Sequence, residues 1–154
     1  MTTTQGTQAQ GALRGVQVLD FGQYIPGPML GMLLSDQGAD VIKVESCRHF
    51  DWWRGWDLTP EAFELRAWEK SPAFNMVNRN KRGITLDLSS DRGAEILKRL
   101  VKDADAVVEN YAGTVLPKLG LEYDVLRQVN PSIVMLSMPP FGATGDWKAY
   151  RAYG

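Results

Sequence analysis

Residues that build most catalytic and metal centres are scarce in this sequence, which has one cysteine and one histidine among 154 residues. A single cysteine, Cys47, excludes an intrachain disulfide framework and suits a reducing compartment, so a cytoplasmic location is expected. His49 lies two positions further on. The pair lacks the three or four convergent ligands of a metal site and the orienting third group of a Cys-His nucleophile, so no metal is expected. An excess of one charge is also missing. The 17 Lys+Arg and 18 Asp+Glu leave a formal charge of -1, which provides no basic face for nucleic acid and no acidic tail. No apolar run is long enough for a membrane span, and residues 1–11 lack the basic and apolar regions of a signal peptide. The acidic residues show no spacing that singles out an acid–base couple, and G-x-G-x-x-G and G-x-x-x-x-G-K-[ST] are both absent.

What is present is an alternation of strand and helix patterns. Residues 1–11 (MTTTQGTQAQG) carry no large apolar side chain and read as a disordered tail. Residues 16–21 (VQVLDF) form a short apolar run that predicts a strand. A glycine- and proline-marked turn follows, with Pro28 where a first helical turn tolerates a missing N–H. Residues 29–37 then predict a buried helix stopped by Gly38. Residues 40–45 (DVIKVE) repeat the strand pattern and complete a parallel βαβ unit. From Ser46 to about Ala73 the chain is irregular and holds four of the five tryptophans, which reads as a packed excursion or a subunit interface. Strands are expected at 84–88, 104–109 and 133–138. Helices are expected at 91–102, capped by Ser90 or Asp91, and at 115–119 and 123–129. The expected fold is α/β: a Rossmann-like, doubly wound, mostly parallel sheet buried on both faces. No helix pattern follows the fifth strand, so the sheet is expected to be incomplete at its C-terminus and the chain to be a fragment.

Open parallel sheets bind ligands beyond the carboxyl ends of their strands, where strand order reverses. The loop GQYIPGP after the first strand, with Glu45 ending the second, has the ingredients of a dinucleotide site. Pro26 and Pro28, however, remove two N–H donors where a pyrophosphate would need them. A rigid elbow that packs the first helix on the sheet is the better reading. In residues 78–82 (NRNKR), three cations in four positions could hold a polyphosphate, but from spacing alone a solvated charged loop beginning a strand is the favoured reading. At the end of the fourth strand, Asn110 and Tyr111 could bond and stack on a purine, or form a turn with a core aromatic.

Four blocks taken together change the balance: LRGVQVLDFGQYIPGPMLGMLLSDQGADVIKVE, NRNKRGITLDL, DADAVVENYAGTVLPKLGL and VNPSIVMLSMPPFGATGDW. In order and spacing they resemble the family III CoA-transferases, a group with formyl-CoA and carnitine-CoA transferases as members and α-methylacyl-CoA racemases as relatives. The resemblance covers residues 12–154. It implies a large Rossmann-like domain that binds coenzyme A, acyl-CoA and carboxylate substrates, and an interlocked homodimer. It also implies an aspartate nucleophile that passes through a mixed anhydride and an aspartyl-CoA thioester.

Position by position, the resemblance places CoA contacts at Ile25 and Pro26, at Leu86, Asp87, Leu88 and Ser89, and at Asn110, Tyr111 and Ala112. Lys118 matches a phosphate-contacting cation, and Arg151, Ala152 and Tyr153 match the segment directed toward the thioester. A family arginine aligns with Ser46, leaving Arg48 as a substitute, and a family lysine aligns with Ser89. Racemases carry a histidine where this chain has Tyr153. A phenol with a pKa near ~10 is a poor base at neutral pH, which favours transfer over racemisation. The nucleophilic aspartate is expected beyond Gly154, so no catalytic residue is expected within these residues and the chain alone should bind CoA without turnover. A non-catalytic remnant that pairs with another polypeptide, and an NAD-binding domain, are the competing readings.

Overall fold

The computed structural model describes residues 11–46, 48–55 and 59–152. Five strands form one sheet: β1 (Gln17–Asp20), β2 (Asp40–Glu45), β3 (Arg82–Thr85), β4 (Ala106–Glu109) and β5 (Val134–Ser137). All four pairings are parallel and the order is β3-β2-β1-β4-β5. Successive strands step outward from β1 in one direction to β3, and β4 and β5 lie on the other side. The reversal of strand order therefore falls between β1 and β4.

Side-chain alternation divides the core into two layers. Leu19, Ile42, Val44 and Val107 point to one face, where they meet Leu97, Val101, Leu116 and Leu126. These last four come from α4 (Asp91–Val101), α5 (Val115–Leu119) and α6 (Tyr123–Val129). Val18, Val41 and Val108 point to the other face, against Leu30 and Leu34 of α1 (Pro26–Asp36). The doubly wound arrangement expected from the sequence is present. Burial on both faces is not uniform, however. Val134 and Leu136 of β5 are 63% and 45% exposed, because the helices on their side cover only the centre of the sheet, whereas Met135 between them packs on the opposite core.

Some boundaries move for local reasons. Helix α1 starts at Pro26, three residues before its expected start. Both prolines then fall in the first turn, where the N–H has no intrahelical partner in any case. Strand β3 spans Arg82–Thr85 rather than 84–88. The Leu86 N–H still donates to Glu45 O at 2.7 Å. Beyond it the Asp87 carboxylate takes the N–H of Ser89 at 3.0 Å and turns the chain. Ser90 then caps α4 by accepting from Gly93 N at 3.1 Å. The irregular stretch contains 3-10 turns at Trp52–Arg54 and Ala67–Glu69 and short helices α2 (Pro60–Glu64) and α3 (Pro72–Asn78).

Candidate functional site at the strand tips

The elbow after β1 is set by close approach of backbone. A Cβ on Gly22 would lie 2.5 Å from Gly27 Cα, and one on Gly27 would lie 2.4 Å from Gly22 Cα and 2.7 Å from Asn110 Oδ1. One turn on, a Cβ on Gly31 would lie 2.7 Å from Asp20 Oδ2. No residue larger than glycine fits these positions without displacement.

A buried ion pair lies beneath the elbow. The Asp20 carboxylate accepts from Gly22 N at 2.7 Å and from Lys81 Nζ at 2.7 Å. The Asp20 and Lys81 side chains are 0% and 1% exposed. Lys81 Nζ also donates to Pro28 O and Asn78 Oδ1, both at 2.8 Å, so all three ammonium protons are used. Burial lowers the Lys81 pKa from its ordinary value, and the Asp20 charge restores part of the loss. The expectation of a solvated charged loop at residues 78–82 is therefore corrected at Lys81. The alternative, a polyphosphate cluster, does not form either. Arg79 pairs with Asp36 at 2.5 Å and Arg82 Nε donates to Asp40 at 2.8 Å, so the three cations point to three different carboxylates.

A second buried pair, absent from the sequence reading, braces the other side of the elbow. Lys43 Nζ lies 2.8 Å from Asp51 Oδ2 and also donates to Gly22 O. Asp51 Oδ1 accepts from Tyr24 N at 3.2 Å and Trp53 N at 3.0 Å. Next to it, Arg54 reaches Glu45 at 2.6 Å and lies 3.7 Å over the Phe74 ring. Burial alone would raise the Glu45 pKa, but hydrogen bonds from Arg54 and the Asp51 N–H outweigh it and hold it below the usual value. Tyr24, held in this frame, has φ +60°, in the left-handed region that is uncommon for an aromatic residue.

The residues expected to contact CoA fall into three groups. Ile25 and Pro26 are exposed at the elbow's outer edge. Asn110 faces them across the strand-order reversal, its amide accepting from Gln23 N at 2.7 Å and donating to Gln23 O at 2.9 Å. That clasp joins the β1 and β4 loops, using one of the two amide N–H groups and one of the two oxygen lone pairs of Asn110. Leu86 is buried in the cluster that also holds Leu116, with Leu88, Tyr111 and Leu119 packed against it. The tips of β3 and β4 and helix α5 thus share one face. Burial, reinforced by the nearby Asp20 and Glu109 charges, pushes the Tyr111 phenol well above its usual pKa. The Ser89 hydroxyl and N–H lower the Asp87 pKa. Ala112 lines a cavity between the ends of β4 and β5, Lys118 is exposed on α5, and Arg151 and Ala152 are exposed near the chain's end. Cys47 and Tyr153 lie outside the described residues. Ser46 Oγ accepts from His49 N at 3.0 Å, and Arg48 is exposed.

The cavity beside Ala112 has a volume of about 220 Å³ and is lined by Glu109, Leu116, Glu122 and Met135, among others. Glu109 is 5% exposed, and burial raises its pKa despite bonds from Ser137 and the Tyr111 N–H. Glu122 Oε2 is buried there without a partner among the described residues. Neither residue stood out in the sequence, because a single glutamate at a strand or helix end carries no spacing signal. Among the described residues no three His, Cys, Asp or Glu side chains are placed to hold a metal ion, and no helix is long and apolar enough to cross a membrane.

Comparison with known proteins agrees with the four blocks. Residues 13–154 match CoA-transferase family III. A succinate–glutarate CoA-transferase of Agrobacterium fabrum is 38% identical over 143 residues, covering 92% of this chain and 35% of the relative. A formyl-CoA:oxalate CoA-transferase of Afipia carboxidovorans is 40% identical over 143 residues, covering 92% of this chain and 32% of the relative. The crystal structure of a CAIB/BAIF family protein from Brucella suis superposes with a TM-score of 0.79 at 36% identity, covering 94% of this chain and 38% of that one. The chain spans about a third of the length of the curated relatives it matches. With a parallel sheet reversing its order at a glycine elbow, and the match running through nearly all of it, this chain belongs to CoA-transferase family III.

Proposed function

We propose that the chain is the CoA-binding part of an acyl-CoA:carboxylate CoA-transferase. The observation that carries this reading is the unbroken family match over residues 13–154, which spans every strand tip around the β1–β4 reversal. Coenzyme A lies across those tips, against Ile25 and Pro26 on the elbow, residues 86–89 after β3 and residues 110–112 after β4. Lys118 meets its phosphates, and among the described residues Lys118 forms no ion pair that would compete. On the resemblance, Arg151, Ala152 and Tyr153 are assigned to the thioester end of the ligand.

In the reaction, an aspartate attacks the thioester carbonyl and CoA leaves as thiolate. The thiolate then attacks the resulting anhydride, giving aspartyl-CoA and the free acid, and the acceptor carboxylate reverses the sequence. That nucleophile comes from polypeptide outside these 154 residues. In support, four carboxylates at the crevice are already engaged: Asp20 by Lys81, Asp51 by Lys43, Glu45 by Arg54 and Asp87 by Ser89. The chain alone therefore binds CoA without turnover, and the complete enzyme works in the cytoplasm as an interlocked homodimer.

Calorimetric titration of the folded chain with CoA and with NADH tests the reading. Saturable heat is expected from CoA and none from NADH, and silence at millimolar CoA would end it. CoA transfer catalysed by the 154-residue chain alone would overturn the placement of the nucleophile.

A further inference from the structure

Helix α1 differs in composition from the other long helix of the chain. From Pro26 to Ser35 it carries no charged side chain, and its one acidic residue, Asp36, is paired with Arg79. By contrast α4 exposes Asp91, Arg92, Glu95 and Arg99. A helix that is apolar all round is ordinarily buried all round. Leu30 and Leu34 do meet the sheet, and Pro28, Met32 and Ser35 are buried toward α3 and the residues that follow it. Met29 and Leu33, one turn apart on the remaining side, stay 41% and 52% exposed.

The sheet is open beside the same helix. Val134 and Leu136 of β5 pair in register with Ala106 and Val108 of β4, so they point to the face that holds α1. They are 63% and 45% exposed. Neighbouring strands lie about 4.8 Å apart and packed helices about 8–10 Å apart. The lane over β5, two strands from the β1 that α1 covers, therefore has the width of one further helix. Its floor and its α1 wall carry no charged side chain, so the helix that fills it must present an uncharged apolar stripe.

On this chain that stripe belongs to α1 itself, through Met29 and Leu33. Ridge and lane lie side by side on one surface, which is the condition for an isologous two-fold contact. A formal charge of -1 sets little long-range repulsion between copies. We infer that the face formed by α1 and β5 docks a second copy of this chain, with the two α1 helices side by side and antiparallel between the two sheets. Each helix then lies over its own β1 and over β5 of the other copy. Helix α1 runs back against the strands, so the two-fold brings Leu33 of one copy onto Leu136 of the other, and Met29 onto Val134. The contact needs only these 154 residues and does not depend on the CoA-binding reading.

Sedimentation equilibrium of the 154-residue chain tests it. The parent is expected to dimerise with a Kd on the order of 10 µM, because the contact uses far fewer side chains than a standard interface. Leu33→Glu and Leu136→Lys, both at exposed positions, should each weaken the dimer about tenfold or more by burying an unpaired charge, with an unchanged far-ultraviolet circular dichroism spectrum. Mixed in equal amounts, the two variants should pair with nearly the parent's affinity. One of the two equivalent contacts then sets a carboxylate against an ammonium, and the other is the parent's. A variant that had merely lost its fold would not be rescued in this way. A parent that stays monomeric at about 300 µM would overturn the inference and leave the lane to a helix of another polypeptide. Dimers that survive both substitutions, variants that do not pair with each other, or association that continues past the dimer would overturn it as well. Each of these results leaves the CoA reading to calorimetry.

Discussion

Replacing Lys81 with methionine separates a buried ion pair from the solvated loop that the sequence suggests. Methionine is close to lysine in length and fills the same tunnel beside Gly31, so packing changes little. What disappears is the ammonium, with its bonds to Asp20, Pro28 O and Asn78. Asp20, at 0% exposure, is then left with only the Gly22 N–H as a partner. Removing one partner of a buried pair costs about 3–5 kcal/mol, a large share of the roughly 5–15 kcal/mol that holds a domain of this kind together. At a urea slope of about 2 kcal/mol/M the unfolding midpoint should fall by about 2 M. Adding Asp20→Asn removes the stranded charge, and the double variant should recover part of the loss. A solvated Lys81 would instead give a change within about 0.5 kcal/mol. Urea unfolding followed by tryptophan fluorescence decides between them. A Lys81→Met midpoint within about 0.5 M of the parent would refute the buried-pair argument.

Gly27→Ala should destabilise by about 1–3 kcal/mol, because its Cβ meets Gly22 Cα and Asn110 Oδ1; an unchanged melting temperature would mean the elbow is looser than described. Asn130 is buried, donates to Val101 O at 2.9 Å and Ala104 O at 2.8 Å, and accepts from Ser132. Asn130→Ala should cost about 1–3 kcal/mol in urea unfolding, since two carbonyls lose their donor. Burial raises the Glu109 pKa above 4.5, so the folded state binds more protons than the unfolded state between 4.5 and the raised value. Its contribution to stability is complete below 4.5 and is lost as pH climbs through the raised value. Glu109→Gln should therefore stabilise the chain at pH 7 and match the parent below pH 4.5. A gain that does not vary with pH would contradict this.

The backbone plan was legible wherever the cause is local. The DVIKVE strand and the two short helices at 115–119 and 123–129 appear with the expected bounds, because apolar periodicity and punctuation by glycine act over a few residues. The boundary of β3 was missed by two or three positions, since ITLDL continues to look like a strand while Asp87 and Ser89 turn the backbone through their own hydrogen bonds. The site was less legible. Lys81 reads as one cation in a charged run, and only the packing of α3 on α1 makes it the partner of Asp20, 61 positions away. Asn110 reads as either a turn residue or a ligand contact, and only the folded chain shows its amide closing on Gln23, 87 positions back.

By itself the sequence determined the alternation of strands and helices, the glycine elbow and the family. Each depends on short-range pattern or on blocks of residue identity that survive without knowledge of contacts. Tertiary structure alone decided the strand order, which charges are buried in pairs, how Asn110 is spent and how open β5 is. Those outcomes are set by which distant segments come within a few ångströms of one another, where loss of water makes each charge or amide dependent on a partner that chain order does not name.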